Sequence, residues 1–149
     1  MPLPRAIAVI ALEQLAEPPT DTVALSYQDR HRRRMTMTSD GGREFLLDLP
    51  QAIAMADGMC LKLDDDGHIR VVAIDEDVLD ITTADASTLM RIAWHLGNRH
   101  LPTELSAERV RIAYDHVIEE MVIGLGGHVE RRKAPFHPEG GAYAHHDHA

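Results

Sequence analysis

Four scarcities bound this chain before any motif is found. It has one cysteine, Cys60, in 149 residues. Neither an intramolecular disulfide nor a multi-cysteine zinc site can form. Cys60 lies in the alternating stretch Met59-Cys60-Leu61-Lys62-Leu63 and reads as a small buried hydrophobe. Aromatic residues make up 4% of the chain against 44% hydrophobic, so any core is built from Val, Ile, Leu, Met and Ala. No apolar run approaches the roughly 20 residues needed to span a bilayer. Pro2, Pro4 and Arg5 precede only a short apolar run and do not make a signal peptide. The expectation is a soluble cytoplasmic protein with no membrane role. Basic residues are also short, 15 against 24 acidic, for a net charge of -9. Such a chain is poorly suited to nucleic acid, which is gripped by neutralising phosphates.

What is present in excess is histidine. There are 10, three of them in the last five positions. Imidazole is the commonest transition-metal ligand among side chains.

Residues 1–75 read as strands. Ala6–Leu12 is a short apolar run, broken by Pro18-Pro19, and Thr22–Tyr27 has strand composition. The stretch from Arg30 to Thr38 alternates, and Asp40-Gly41-Gly42 turns it into Glu44–Leu49. Asp57-Gly58 and Asp65-Asp66-Gly67 mark two further turns, leading into Met59–Leu63 and His68–Ile74. This spacing suggests a small β-sandwich or open barrel. The charge runs Arg30–Arg34, Asp64–Asp66 and Arg131–Lys133 read as solvated faces.

After residue 75 the period changes. Val78–Thr82 is a strand. Leu89, Ile92, Ala93 and Leu96 then recur at helical spacing, with Thr83 or Asp85 as N-cap and Gly97 as a left-handed stop. An extended piece runs from His100 to Leu105, and Arg109–Ala113 alternates as a strand. Asp115 caps a second helix carrying Ile118, Met121, Val122 and Leu125, which Gly126-Gly127 ends; His128–Lys133 is a last strand. The order strand, helix, strand, strand, helix, strand is the split βαβ arrangement of a ferredoxin-like domain. Residues 135–149, with Pro135, Pro138, Gly140 and Gly141, lose periodicity and read as a flexible tail. The expected class is α+β: a β domain over 1–75, a ferredoxin-like domain over 76–134 and a histidine tail over 135–149.

Two places carry chemistry: Trp94-His95-Leu96-Gly97-Asn98-Arg99-His100, and His145-His146-Asp147-His148. His100 follows a helix end and belongs at a surface turn. One imidazole binds Ni, Cu, Zn or Co weakly. A two-fold dimer with His100 near its axis would bring two copies of it together, because such interfaces are isologous. The tail would add His145, His146 or His148. Ordering a tail costs roughly 1–2 kcal/mol per fixed residue, which suits a site that must release its ion better than one that must keep it. A polar surface role for His100 is the plain alternative. His116, beside the Asp115 cap, reads equally as a ligand or as a first-turn surface residue. His95 reads as half-buried, His31, His68 and His128 as solvated, and His137 as a possible recruit.

No G-x-S-x-G, H-E-x-x-H or Walker A pattern is present. Catalytic residues are therefore not assigned. Two alternatives stay open: a metal-dependent hydrolase using His95, His100 and His116, and a protein-binding adaptor with an incidental tail.

The stretch Trp94–His100 with Pro102, the run Ile112–Ile118, and Pro135-Phe136 with Pro138–Tyr143 resemble the urease accessory nickel metallochaperones (UreE-type). Arg30, Arg32 and Arg34, Leu47-Asp48-Leu49-Pro50 and Asp64–Gly67 fall where similar segments occur. The resemblance implies a β domain similar to peptide-binding domains of heat-shock proteins, then a ferredoxin-like domain that dimerises. It implies that His100 of each subunit binds Ni(2+), with tail histidines helping. Zn(2+) or Cu(2+) would be accepted in vitro. It also implies delivery to apo-urease through a complex with the urease accessory GTPase. Some members carry a second metal-binding pair near the start of the last helix; here Tyr114 takes one of those places and only His116 remains.

Overall fold

The computed structural model describes residues 2–140. The chain divides into two compact units, Met1–Ile74 and Asp75–Ala149.

The first unit holds β1 (Arg5–Ile10), a 3-10 turn (Leu12–Gln14), β2 (Asp21–Leu25), β3 (Arg34–Thr38), β4 (Glu44–Asp48), β5 (Cys60–Leu63) and β6 (His68–Ala73). The strands form one sheet in the order β2-β6-β5-β1-β4-β3. Neighbours are antiparallel except β1 with β4 and β2 with β6, which are parallel. Those parallel pairs join strands distant in sequence, so no hairpin signal announces them.

The two ends of the sheet meet. Ser39 Oγ donates to Asp21 Oδ2 at 2.5 Å, and the Asp40 and Gly41 amides donate to Thr22 O and Asp21 Oδ1 at 2.8 and 3.1 Å. The hairpin after β3 is thereby stitched to β2, and the sheet nearly closes into a barrel. The Ser39 hydroxyl and the Thr22 amide hold the Asp21 carboxyl below the usual carboxylate range.

Alternation sends Phe45, Leu47, Leu61, Leu63, Ile69 and Val71 inward, each at most 1% exposed. Burying side chains of this kind stabilises by about 1.5–3 kcal/mol each. The expected strand from Arg30 starts only at Arg34. Arg30 is instead buried in a turn, its backbone carbonyl accepting from the Met55 amide at 2.8 Å. Met55 plugs the core from a loop without periodicity.

The second unit holds β7 (Glu76–Thr82), α1 (Ala86–Asn98), β8 (Glu104–Leu105), β9 (Val110–Ala113), α2 (His116–Gly124) and β10 (His128–Ala134). The sheet order is β10-β7-β9-β8, all antiparallel. This is the expected ferredoxin-like arrangement, with the second and third strands of the unit paired at one edge.

Asp85 caps α1, accepting from the Thr88 amide at 3.0 Å; Asp115 caps α2, accepting from the Val117 and Ile118 amides at 2.9 and 3.2 Å. Gly126, at φ +98°, turns the chain after α2. A Cβ on Gly127 would lie 2.6 Å from Val122 Cγ1, so only glycine lets the chain pass that close to α2. Leu79 and Ile81 of β7 pack with Leu89, Ile92, Leu96, Ile118 and Val122 of the helices.

The opposite face of this sheet is covered too. Val78 and Phe136 are at most 1% exposed yet lie outside the helix-side cluster. Residues 135–139, expected as the start of a flexible tail, are held here. Pro135 O accepts from Arg111 Nη1 at 3.0 Å, the His137 amide donates to Glu104 Oε1 at 2.8 Å, and the Glu139 amide donates to Thr103 O at 2.8 Å.

Beneath that segment lies a buried charge cluster. Arg111 donates from Nε and Nη2 to the two oxygens of Asp80 at 2.6 and 3.0 Å. Arg109 and Arg132 approach Asp80 Oδ2 at 3.7 and 3.5 Å. Burial pushes the Asp80 carboxyl up, but the Arg111 hydrogen bonds and the three guanidinium charges outweigh it and hold the group low. Among the described residues no helix is long and apolar enough to cross a membrane.

Candidate metal site

The end of α1 sets the candidate site. Gly97 is not the left-handed residue. It remains within the helix, and the positive φ falls three residues later, on His100 at +59°. Two hydrogen bonds define this ending. The His100 amide donates to Gly97 O at 3.0 Å, and the Leu101 amide donates to Leu96 O at 3.2 Å. These are the two bonds of a Schellman motif, with His100 at its left-handed position. Leu101 completes it by packing on the cluster that contains Leu96.

Glycine is the usual occupant of that position, because a side chain there crowds the backbone by about 1–2 kcal/mol. Histidine is among the residues that tolerate it best. Glycine at residue 97 is the conventional stop signal, and it pointed to the wrong residue. The useful signal was Leu101, an apolar residue spaced to return to Leu96. The two hydrogen bonds and the packing of Leu101 fix the His100 backbone at the helix end, and its side chain is exposed.

The surface beside it is apolar. Met90 and Trp94 lie one turn apart on the exposed side of α1, 73% and 64% exposed. His95 is half-buried and meets the Trp94 ring edge-on, with centroids 5.1 Å apart. The buried stripe of the helix is Leu89, Ile92 and Leu96. Met90 and Trp94 lie outside that stripe and are not part of the core of their own unit.

The other expected ligands divide into two groups. His116 is exposed at the first position of α2. Two residues before it in the chain, the Tyr114 ring lies under the Arg131 guanidinium at 3.9 Å, a cation–π pair. His145, His146 and His148 lie outside the described residues. Among the described residues no three His, Cys, Asp or Glu side chains come together as a metal-binding group. The hydrolase constellation of His95, His100 and His116 is thus not assembled within one chain.

Sequence comparison matches residues 5–74 to the N-terminal domain of the UreE urease accessory protein family and residues 76–149 to its C-terminal domain. The chain belongs to the UreE family. It is 52% identical over 145 residues to the urease accessory protein UreE of Bradyrhizobium sp. strain ORS 278, covering 97% of this chain and 69% of that protein. It is 56% identical over 128 residues to the UreE of Rhodopseudomonas palustris strain HaA2, covering 86% of this chain and 60% of that protein. Against the UreE of Beijerinckia indica the figures are 46% over 150 residues, 97% and 87%. The chain therefore spans between three-fifths and nine-tenths of the length of these relatives. UreE proteins are accessory proteins of urease maturation rather than enzymes, and that role extends to this chain.

Proposed function

We propose that this UreE-family chain is a cytoplasmic nickel carrier that works as a homodimer. Each subunit contributes His100 to one shared site, and His145, His146 or His148 completes it on loading. The ion is cargo, passed on to apo-urease through the accessory GTPase complex. The observation that carries this reading is the exposed side chain of His100 at a left-handed backbone position. Strain of this kind persists where the surroundings enforce it, and it clusters at functional sites.

The apolar pair Met90 and Trp94, on the helix that leads to His100, supports the dimer. A two-fold interface over this helix, with His100 near its axis, would bury both residues and pair the two imidazoles. Nitrogen ligands suit Ni(II), Cu(II) and Zn(II), and a partly open site favours release. The domain division near residue 75 and the terminal histidine segment belong to the same reading: the second unit binds and dimerises, and the first is free to meet a partner.

The test is nickel titration by calorimetry of the full chain beside His100→Ala. Loss of high-affinity binding in the variant is expected. Unchanged binding would remove the proposal.

A further inference from the structure

We propose that the connection between β2 and β3, residues 26–33, is a docking site for an acidic segment of a partner protein, with Arg32 as its principal contact. The site belongs to the first unit alone and does not depend on nickel.

The connection is held by its own hydrogen bonds. The Arg30 amide donates to Ser26 O at 2.9 Å, the Asp29 amide to Ser26 Oγ at 3.2 Å, and the His31 amide to Gln28 O at 3.2 Å. Arg30 clasps Met55 from below: its Nη1 donates to Met55 O at 3.2 Å, and its carbonyl accepts from the Met55 amide at 2.8 Å. At the far end Arg33 O accepts from the Leu49 amide at 2.9 Å. On this frame Tyr27, Gln28, His31 and Arg32 line an open cavity of about 310 Å³. A phenol, an amide, an imidazole and a guanidinium can all donate hydrogen bonds to an anion, and the space admits an acidic side chain.

Charge points to the occupant. The chain carries -9 overall, yet residues 30–34 are four arginines and a histidine. Residues 31–34 are all exposed. Their own carboxylates hold them loosely. Arg32 Nε lies 3.4 Å from Asp29 Oδ1, and Arg34 Nη1 lies 3.8 Å from Asp48 Oδ1. Asp48 is already engaged by Arg5, whose Nη2 and Nε donate to Oδ2 at 2.7 and 3.0 Å. Strong guanidinium–carboxylate hydrogen bonds are shorter, about 2.7–2.9 Å. Arg32 and Arg34 therefore lose little by turning to a better-placed carboxylate. Three consecutive exposed guanidinium groups call for several negative charges on one chain, as an acidic peptide supplies and a single phosphate does not. They are too few for nucleic acid, whose grip comes from neutralising many phosphates.

The experiment is fluorescence anisotropy of a fluorescein-labelled hexaglutamate peptide, titrated with the full chain at low ionic strength. Arg32→Ala is compared with Arg70→Ala, an exposed arginine elsewhere in the same unit. The expected result is saturable binding to the natural chain, weaker by about tenfold or more in Arg32→Ala and by less than about twofold in Arg70→Ala. Absence of binding to the natural chain overturns the proposal. So does an equal loss in both variants, the mark of diffuse attraction. Single-stranded oligothymidine of the same charge serves as competitor. Displacement at equal or lower concentration than unlabelled hexaglutamate would make the ligand a nucleic acid and overturn the proposal as well. Should Arg32→Ala fail to fold, amide chemical shifts of the natural chain during the peptide titration replace it. Changes centred on residues 26–34 support the site, and changes centred elsewhere overturn it.

Discussion

The Leu101 amide donates to the Leu96 carbonyl across the end of α1, and their side chains join one apolar cluster. That pairing bridges His100 and fixes its backbone from both sides. The residue proposed to hold nickel is therefore held in place by apolar contacts.

His100→Gly separates stability from function. Relief of left-handed crowding is worth about 1–2 kcal/mol, and the extra freedom of glycine in the unfolded chain takes back about 0.5–1 kcal/mol. The variant is expected to unfold at slightly higher urea, by about 0.5 kcal/mol, while losing high-affinity nickel binding. Equilibrium unfolding beside calorimetry measures both. A variant clearly less stable than the natural chain would contradict the strain argument.

Trp94→Glu is expected to yield a monomer. Trp94 is 64% exposed in the single chain, so the change leaves the fold of one subunit within about 0.5 kcal/mol of its natural stability. Across a two-fold axis it would set like charges near each other in an apolar contact. Sedimentation velocity gives the mass directly. A persistent dimer would move the interface away from α1.

Asp80→Asn leaves Arg111 buried without its carboxylate, and breaking such a pair costs about 3–5 kcal/mol. Asp80 is held below the ordinary carboxylate range in the folded chain. Its contribution is therefore complete above the unfolded value near pH 4 and is lost as pH falls through the lower folded value. The stability gap between natural chain and variant should be wide at pH 7 and narrow towards pH 3. Urea unfolding at both pH values checks it, and a gap independent of pH would refute the assignment.

Asp115→Ala removes the cap of α2, at a loss of about 1 kcal/mol. It should leave nickel affinity and stoichiometry unchanged, because His116 is not a ligand in the proposed site. A fall in stoichiometry would reveal a second ion at that helix start.

Much of this was legible in the sequence. Period-two stretches marked the strands, Leu89, Ile92 and Leu96 marked the inner face of α1, and the Asp85 and Asp115 caps stand where their side chains bond the helix amides. The βαββαβ order followed from these. Three features were not legible, each for its own reason. The parallel pairs β1 with β4 and β2 with β6 join distant strands and leave no turn signature. The left-handed residue was masked by Gly97, which satisfied the usual stop pattern inside a helix that continued past it. Residues 135–139 carry no repeat, and two of their three anchors are backbone amides. Their partners, Glu104 and Thr103, lie more than thirty residues away in the chain. Buried Phe136 was the one available hint.

The borders of the second sheet also have a bearing on assembly. One border is β8, two residues long; the other is β10, with Glu130, Arg131, Arg132 and Lys133 in a row. A short strand and a charged one are both poor templates for adding a foreign strand. On the proposed function, a chain that meets a second copy of itself, and then an apoenzyme, is guarded against polymerising on both borders of this sheet. Its encounters are left to helices and loops, where a contact can be broken again.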